Sequence, residues 1–307
     1  MLDIRYIREN PEKVKEATKA KNVDSAIVDK ALELDEKWRE TLQVAEKLRQ
    51  ERNAISKERT QEAISRGQQV KGELKKVEAE LKEVAEEYEK TLRQIPNPAA
   101  EDVKVGKDDS ENEVVRKWGE LPKFDFEPKD HLEIGEKLGI IDVERAAKVS
   151  GARFAYLKGD AVLLELALVQ FAMETLGKEG FVPTIPPVLI KKESMEGMGY
   201  LEHGGEDDIF ALEKDDMVLV GTSEQSIGPM HKDELLNGKD LPLRYAGFSP
   251  CFRREAGSYG KDTRGILRVH QFDKVEMFSF VKPEDGDKEH EFLLGIEAKL
   301  LQALEIT

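Results

Sequence analysis

The chain has 307 residues, of which 36% are charged, and its formal net charge is -15. This acidity argues against a protein that coats nucleic acid non-specifically, because phosphate binding requires positive potential where contact is made. The single cysteine, Cys251, excludes an intramolecular disulfide and a cysteine-based zinc site, and it fits a reducing compartment such as the cytoplasm. The longest apolar stretch, residues 161–173, contains Glu165 and is shorter than a membrane span, so we expect no membrane association.

Residues 27–95 are predicted to form a long antiparallel coiled-coil hairpin. Apolar residues recur at intervals of seven in two runs, which is the pattern of helices that pack along one seam. The segment SKERTQEAISRGQQ, residues 56–69, lies between the runs and is the predicted turn. The first run, with its interleaved positions, contains Ile27, Ala31, Leu34, Trp38, Thr41, Ala45, Leu48 and Ile55, and the second contains Val70, Leu74, Val77, Leu81, Val84, Tyr88 and Ile95.

Charge divides this hairpin into a basic tip and an acidic base. Residues 46–76 hold nine Lys or Arg and five Glu, whereas residues 77–90 hold two Lys and six Glu. A solvated coiled coil with charges on its outer face explains this pattern, and so does an arm whose tip meets a phosphate backbone. On the second interpretation, the residues that contact nucleic acid are Arg49, Arg52, Lys57, Arg59, Arg66, Lys71 and Lys75.

We divide the chain into an N-terminal domain, residues 1–100, a linker rich in proline, glycine and charge, residues 101–130, and a second domain, residues 131–307. Helices mixed with antiparallel strands in the second domain indicate an α+β fold. Neither a dinucleotide-binding glycine motif after a strand nor a P-loop motif occurs in the sequence. The predicted elements are helices within 131–149 and at 160–178, and strands near 182–190, 217–221, 243–252 and 266–281.

The last two of these strands predict a hairpin around the glycine-rich loop AGSYGKDTRG. Arg253 and Glu255 share a face of the first strand. A row of guanidinium, aromatic and carboxylate groups on the second offers a phosphate clamp, a stacking surface and an acceptor for an ammonium or hydroxyl group. A surface hairpin with cross-strand Arg–Glu pairs explains the same spacing, and spacing alone leaves both interpretations open. The row consists of Arg268, His270, Phe272, Lys274, Glu276 and Phe278.

Four stretches together resemble the seryl-tRNA synthetases, a family of class II aminoacyl-tRNA synthetases. FRREAGSYGKDTRGILRVHQFDKVE, residues 252–276, resembles motif 2 of that family, and GFVPTIPPVLI, residues 180–190, resembles motif 1 of the dimer interface. GTSEQSIGPMHKDEL, residues 221–235, resembles the serine-binding Thr-x-Glu loop. The start, MLDIRYIRENPEKV, with RNAISKE at 52–58, resembles the tRNA-binding arm. The resemblance covers essentially the whole chain in the family's order.

This resemblance implies a serine–tRNA ligase. Such an enzyme activates L-serine with ATP and Mg²⁺ to seryl-adenylate, and then transfers the seryl group to the 3′ end of tRNA(Ser). Whether tRNA(Sec) is also a substrate stays open. The implied fold is an N-terminal antiparallel coiled-coil hairpin followed by a class II antiparallel-sheet catalytic domain, and the implied assembly is a homodimer.

The resemblance also implies roles for individual residues. Arg253 and Arg268 are expected to stabilise the reacting phosphate, and we expect no metal ligand set within this chain. A simpler interpretation of Thr222 and Ser223 is that they cap a helix beginning near Glu224. The implied ATP contacts are Arg253, Glu255, Arg268, Val269 and Phe272, and the implied serine contacts are Thr222, Ser223, Glu224, Arg253 and Glu276.

In the family, a further segment with motif 3 supplies a second arginine, acidic metal ligands and more serine contacts, and none of these precedes Thr307. We therefore expect an incomplete catalytic core with an exposed sheet edge, and a 307-residue chain that is inactive or nearly so. One alternative is a non-catalytic, synthetase-derived protein that binds tRNA or dimerises. A coiled-coil scaffold would not explain the arginine and glutamate pattern, and related carrier-protein ligases usually lack the arm.

Overall fold

The structure, a computed structural model, describes residues 2–58, 60–201, 205–256 and 264–307. The chain divides into two compact units, Met1–Val114 and Val115–Thr307. Arg59, one of the predicted tRNA contacts, lies outside the described residues, and so does most of the glycine-rich loop of the predicted hairpin.

The first unit is helical, and it confirms the predicted hairpin. Ion pairs between α3 and α4 show that the two helices are antiparallel, because partner numbers fall in α4 as they rise in α3. The pairs are Lys30 with Glu87, Lys37 with Glu80 and Glu51 with Arg66. The helices of this unit are α1 Ile4–Glu9, α2 Pro11–Ala20, α3 Ala26–Ile55 and α4 Gln61–Arg93.

The connection between the two long helices is shorter than the sequence predicts. Residues 61–69 were expected in the turn but belong to α4. Thr60 begins this helix, because its hydroxyl oxygen accepts the backbone N–H of Ala63 at 3.1 Å. Gly67 lies inside α4, where the packing of α4 along α3 outweighs the low helix propensity of glycine.

An apolar core lies at the base of the hairpin, where the short helices α1 and α2 meet the long ones. Burial of these side chains is the main force that holds α1 and α2 in place, since neither helix is long enough to be stable alone. The buried members are Ile7, Val14, Val28, Ala31, Leu92 and Ile95.

A buried carboxylate interrupts the seam of the hairpin. Asp35 of α3 is 1% exposed and accepts two hydrogen bonds from Arg8 of α1, at 2.8 and 2.7 Å. Arg39 donates to it at 3.1 Å and the hydroxyl of Tyr88 in α4 at 3.3 Å. Burial favours the neutral acid, but the hydrogen bond and charge of Arg8, with Arg39, hold the pKa of Asp35 below its usual value. Burial and the nearby carboxylate raise the pKa of Tyr88 to about 12.

Residues 96–130 contain one 3₁₀ turn, Asp109–Glu111, and otherwise neither helix nor strand. Their side chains are almost all exposed, so little packing fixes the path of this segment.

The second unit combines helices and strands, which confirms the α+β prediction. In its largest sheet β7 is central: β8 pairs with it antiparallel over ten residues, and β3 pairs with it in parallel. A second sheet has the antiparallel order β4-β6-β5, and β1 pairs with β2. The strands are β1 Ile141–Asp142, β2 Tyr156–Leu157, β3 Val182–Thr184, β4 Leu189–Lys191, β5 Ala211–Leu212, β6 Met217–Leu219, β7 Leu243–Phe252 and β8 Gln271–Phe280.

Helices cover one face of the large sheet. Leu176 of α7, Ala246 of β7 and Ile296 of α10 are buried there with Phe181. Among the described residues, β8 pairs only with β7 and is an edge strand of this sheet. Within the same residues, no helix has both the length and the apolar character needed to cross a membrane. The helices of this unit are α5 His131–Leu138, α6 Val143–Ser150, α7 Asp160–Lys178, α8 Lys192–Gly197, α9 Glu224–Ile227 and α10 Gly286–Ala303.

Three strand predictions are wrong in their extent. The predicted strand 182–190 is two strands in different sheets, β3 and β4, because Pro186 and Pro187 between them have no N–H for a ladder. The predicted strand 266–281 begins at Gln271, so Arg268 and His270 precede β8. The strand predicted at 217–221 ends at Leu219, and the one at 243–252 is confirmed.

Candidate active site

The loop before α9 lies directly on β7, opposite the helix-covered face. Gly247 of β7 makes this close approach possible: a Cβ there would lie 2.5 Å from Ser223 Oγ and 2.6 Å from Ile227 Cδ1. Ser223 is fully buried, and its hydroxyl donates to the Gly247 carbonyl oxygen at 3.5 Å. Gly247 is also the partner of Glu276 in the β7–β8 register. The sheet therefore places the loop beside the Glu276 side chain.

A polar network joins this loop to β8. The hydroxyl of Thr222 donates to Glu276 Oε2 at 3.1 Å and accepts from Lys274 Nζ at 2.9 Å. Lys274 also forms an ion pair with Glu276. Lys274 and Glu276 are two apart on β8 and so point to the same face, as their alternation predicts.

Thr222 takes part both in this network and in the start of α9. α9 begins at Glu224, and Thr222 Oγ1 accepts the backbone N–H of Glu224 at 3.3 Å. The side chain of Gln225 accepts the backbone N–H of Gly221 at 2.7 Å, which closes the loop on itself. Ser223, the N-cap residue, makes no side-chain capping bond, so the predicted cap is wrong for Ser223, whereas Thr222 bonds to the first residue of α9 and to β8.

Tyr200 holds the carboxylate of Glu224, at the start of α9, in place. Its hydroxyl donates to Glu224 Oε2 at 2.8 Å. Burial, together with the hydrogen bond and charge of Glu224, raises the pKa of Tyr200, so the phenol stays protonated as a donor. This contact joins the segment after α8 to the start of α9.

Arg253 follows β7 and lies beside the same network. Its Nε donates to the carbonyl oxygen of Gly221 at 3.1 Å, and its guanidinium lies over the ring of Phe272 at 5.2 Å. The backbone N–H of Arg253 donates to the His270 carbonyl oxygen at 3.0 Å, and His270 Nδ1 lies 2.9 Å from the Arg253 carbonyl oxygen. The backbone pairing of the two segments thus continues past the strand ends and orients the arginine.

Arg268 and Glu255 contact each other. Arg268 Nη1 donates to Glu255 Oε2 at 2.9 Å, and the Glu255 side chain is 11% exposed. Glu255 has a positive φ of 55°, which is unusual for a residue with a side chain and turns the chain at this point. The cross-strand Arg–Glu pair considered for this hairpin is therefore present, three residues beyond the end of each strand.

Two cavities accompany these groups. The first, of about 370 Å³, is lined by Thr222, Glu224, Arg253, Lys274, Tyr200 and Asp208. The second, of about 540 Å³, is lined by residues that include Val269, which is buried, and Phe272. Both volumes are in the range of small-molecule sites. The first cavity brings together carboxylates, a hydroxyl and cationic groups, and the second presents an aromatic ring beside apolar walls.

The structure also identifies cavity residues that sequence reasoning did not assign. Tyr200, Asp208 and Gln225 carry no local signal of function, because each reaches the site through tertiary contacts. Lys274 could have been assigned to the site from the sequence, since it lies two residues before Glu276 on the same predicted strand face. In the described parts of the chain, no three His, Cys, Asp or Glu side chains are grouped as a metal site requires.

Two of the predicted tRNA contacts of the arm form ion pairs with glutamates of the arm itself. Arg49 pairs with Glu78 at 2.9 Å, and Arg66 pairs with Glu51 at 2.6 Å. The remaining described members, Arg52, Lys57, Lys71 and Lys75, have exposed side chains.

Comparison with known proteins agrees with this architecture. Residues 1–99 match the family described as the seryl-tRNA synthetase N-terminal domain. Residues 209–306 match the family described as the class II core domain of tRNA synthetases for G, H, P, S and T. The second unit therefore carries the core of a class II aminoacyl-tRNA synthetase.

Individual relatives within this class are enzymes for serine. Serine–tRNA ligase 1 of Streptomyces avermitilis is 47% identical over 316 aligned positions, which cover all of this chain and 74% of the relative. The serine–tRNA ligase of Nitrosopumilus maritimus is 42% identical with the same coverage. The seryl-tRNA synthetase from Pyrococcus horikoshii, solved in complex with ATP, matches with a TM-score of 0.88 and 38% identity, over 99% of this chain and 75% of that one. The cytoplasmic serine–tRNA ligase from Naegleria fowleri, solved with AMP, matches with a TM-score of 0.83 and 34% identity, over 99% and 73%.

The chain belongs to the seryl-tRNA synthetase family. It spans 74% of the length of the curated relatives. The alternatives of a non-catalytic binding protein or a scaffold are not favoured, because the curated relatives are named as ligases.

Proposed function

We propose that this chain carries the site that activates L-serine with ATP, for transfer of the seryl group to the 3′ end of tRNA(Ser). The observation that carries this proposal is the first cavity, which is lined by Thr222, Glu224 and Arg253, with Glu276 hydrogen-bonded to Thr222. These groups are complementary to an amino acid, because carboxylate and hydroxyl oxygens accept from an ammonium group and a guanidinium binds a carboxylate or phosphate.

Serine recognition is assigned to one wall of this cavity. Glu276 and Glu224 accept from the α-ammonium and the hydroxyl of serine, with Thr222 between them. Ser223 supports the loop from behind, since its hydroxyl points to the backbone of β7. A site that hydrogen-bonds the substrate hydroxyl rejects alanine and glycine strongly, because those ligands leave buried polar groups unpaired.

ATP is assigned to the neighbouring groups. Arg253 holds the α-phosphate, with Arg268 as the second cation, and Phe272 with Val269 offers the apolar surface on which adenine stacks. Glu255 contacts the adenine end. The Arg268–Glu255 pair keeps both side chains in place beside this surface. ATP brings Mg²⁺ as part of the substrate.

The chemistry follows from placement and charge, and no protein nucleophile is needed. The serine carboxylate attacks the α-phosphorus of ATP, and pyrophosphate leaves. A hydroxyl of the terminal adenosine of the tRNA then attacks the seryl carbonyl carbon, and AMP leaves. Arg253 and Arg268 stabilise the negative charge that develops on the α-phosphoryl group.

In our proposal the two domains have different roles. Residues 1–100 bind tRNA through the arm at about 27–95, residues 131–307 catalyse the reaction, and residues 101–130 link the two domains. Exposed Arg52, Lys57, Lys71 and Lys75 attract phosphates better than the paired Arg49 and Arg66, because the latter must first give up a carboxylate partner. Charging of tRNA(Sec) is a further candidate activity.

A homodimer is proposed from the apolar surface around α7. Leu163, Leu164 and Leu166 are 64, 62 and 56% exposed, and Ile185 in the segment after β3 is 81% exposed. Contiguous exposed apolar groups of this kind are typical of protein interfaces. We place the protein in the cytoplasm, because the buried free thiol of Cys251 fits a reducing compartment.

The test combines amino-acid-dependent ATP–pyrophosphate exchange, with all twenty amino acids, and calorimetric binding of L-serine. Selective binding of L-serine over L-alanine and glycine is the expected result, with weak or no exchange, since we expect this chain to be inactive or nearly so. Serine-dependent exchange would overturn the expected inactivity and support the chemical half of the proposal, whereas binding of no amino acid would contradict the serine site. Arg253→Ala should weaken ATP binding, whereas the matched control Arg145→Ala, an exposed residue of α6, should not.

A further inference from the structure

One side chain in the first cavity has no role in the reaction described above. Lys274 of β8 reaches the oxygens that we assign to the substrate ammonium. Its Nζ donates to Thr222 Oγ1 at 2.9 Å and forms an ion pair with Glu276 Oε2. The chain therefore places its own ammonium group on the acceptors that the proposed function gives to serine.

The hydrogen-bond capacity of Thr222 makes the two ammonium groups mutually exclusive. A hydroxyl group donates one hydrogen bond and accepts two. Thr222 donates to Glu276, and it accepts from Lys274 and from the backbone N–H of Glu224. Both acceptor positions are thus in use, so a further donor reaches this oxygen only when one of the two leaves. The N–H of Glu224 is fixed at the start of α9, which leaves Lys274 as the group that can be exchanged.

Charge leads to the same exclusion. The cavity is lined by Asp208 and Glu224 with Arg253 and Lys274, and Glu276 forms an ion pair with Lys274. A second ammonium group at hydrogen-bond distance from Thr222 would repel the first, whereas replacement of one by the other leaves the local charge unchanged. The Lys274 side chain is 29% exposed and has a flexible four-carbon stem, so it has a path away from these oxygens.

We propose that Lys274 is a specificity-determining residue that competes with the α-ammonium group of the substrate for Thr222 and Glu276. This inference rests on the proposed serine site and adds a requirement to it. A ligand reaches Glu276 only if it brings its own ammonium group to replace that of Lys274. A hydroxy acid with the same carboxylate and hydroxyl groups leaves Lys274 in place and Glu276 covered.

The test compares two ligands that differ in the ammonium group. L-serine and glycerate share a carboxylate and a primary hydroxyl, but glycerate carries a hydroxyl where serine carries the ammonium. Their dissociation constants are measured by calorimetry on the full chain and on Lys274→Met and Lys274→Gln, after thermal unfolding has verified that each variant folds. Lys282→Met is the matched control, because Lys282 is exposed just after β8 and lies outside the cavity.

Removal of the competing charge should tighten L-serine binding about tenfold or more, the equivalent of one charge-assisted hydrogen bond. Glycerate binding should tighten much less, since its hydroxyl donates one hydrogen bond but carries no charge to pair with Glu276. Lys282→Met should change neither constant.

The outcomes separate this inference from the proposed function. If the wild-type chain binds L-serine and the Lys274 variants bind it equally or more weakly, competition is wrong while the serine site stands. Equal tightening of both ligands would indicate a larger cavity and would also overturn competition. If neither the wild-type chain nor the variants bind L-serine, the serine site itself is wrong and the inference fails with it.

Discussion

Each unit contains a cluster of buried or half-buried charges, and the two clusters differ in how their carboxylates are partnered. At the base of the arm, Asp35 is enclosed and receives hydrogen bonds from Arg8, Arg39 and Tyr88, which come from three helices. In the second unit, Glu276 is bonded to Thr222 and to the flexible Lys274, and both of these residues line a cavity. An enclosed cluster whose partners come from fixed helices stabilises the fold. A cluster beside a cavity, with an exchangeable partner, can bind a ligand.

The sharpest way to separate the two clusters is to remove each carboxylate and measure both stability and binding. Glu276→Ala should weaken L-serine binding about thirty- to hundredfold, because a charged hydrogen bond in a desolvated site contributes about 2–3 kcal/mol. ATP affinity should stay unchanged, since Glu276 is not assigned to the nucleotide. Calorimetry with each ligand measures this, and Glu284→Ala, an exposed residue after β8, is the control. Unchanged L-serine affinity would remove Glu276 from the site.

Asp35→Ala should act on stability instead. We expect a loss of about 2 kcal/mol from the free energy of unfolding of the first unit, less than for a fully buried pair because Arg8 is 37% exposed and can turn to solvent. Urea unfolding followed by far-UV circular dichroism measures this loss, with no change in L-serine affinity. Asp29→Ala is the control: its carboxylate is 57% exposed and pairs with Lys15, so about 0.5 kcal/mol or less is expected. Equal losses of unfolding free energy in the two variants would contradict the proposal that Asp35 contributes more to stability than an exposed carboxylate.

Tyr200→Phe tests whether Glu224, which lines the first cavity, depends on its hydrogen bond from Tyr200. Loss of the hydroxyl leaves Glu224 without its donor, and we expect L-serine to bind about fivefold more weakly, the equivalent of about 1 kcal/mol. Tyr156→Phe, on the exposed strand β2, is the matched control. If both variants bind L-serine like the wild-type chain, Glu224 does not depend on Tyr200.

Acid should weaken the arm through Asp35, as the smallest of these effects. Because Arg8 and Arg39 hold the pKa of Asp35 below its unfolded value, this carboxylate contributes stability above the ordinary aspartate pKa and loses it as the pH falls through the folded value. Urea unfolding of the first unit between about pH 5 and pH 2 should therefore show a shallower pH dependence for Asp35→Ala than for the wild-type chain. Parallel pH profiles would show that other carboxylates dominate.

The contrast between the clusters also shows what the sequence could predict. Heptad spacing predicted the hairpin, and alternation predicted that Lys274 and Glu276 share a face, because both patterns follow from local geometry. Asp35 could not be assigned, since a polar residue near the seam looks like a surface position until Arg8 and Tyr88 arrive from other helices. Tyr200 reaches Glu224 by the same kind of tertiary route. Arg268 was placed on a strand that begins three residues later, because the alternating pattern continues past the last ladder pair.

The identification of the family depended on whole motifs rather than on periodicity. Arg–Glu spacing in the hairpin was equally compatible with a surface salt bridge, and Arg268 and Glu255 do form one. The loop at 221–235 and the hairpin at 252–276 indicated the family because both motifs occur, and in the order that the family has. The structure brings these two segments into contact through Thr222 and Glu276.

The close contact at Gly247 limits how this protein can be redesigned. A Cβ at this position would overlap Ser223 and Ile227, so any larger residue would lift the loop that carries Thr222 and Glu224 away from β8. A new amino-acid specificity cannot therefore be engineered in the loop while the strand beneath it varies freely. Libraries that randomise the loop should keep Gly247 constant, and selection for a larger side-chain pocket should act on residues that line the cavity from other segments, such as Tyr200 and Asp208.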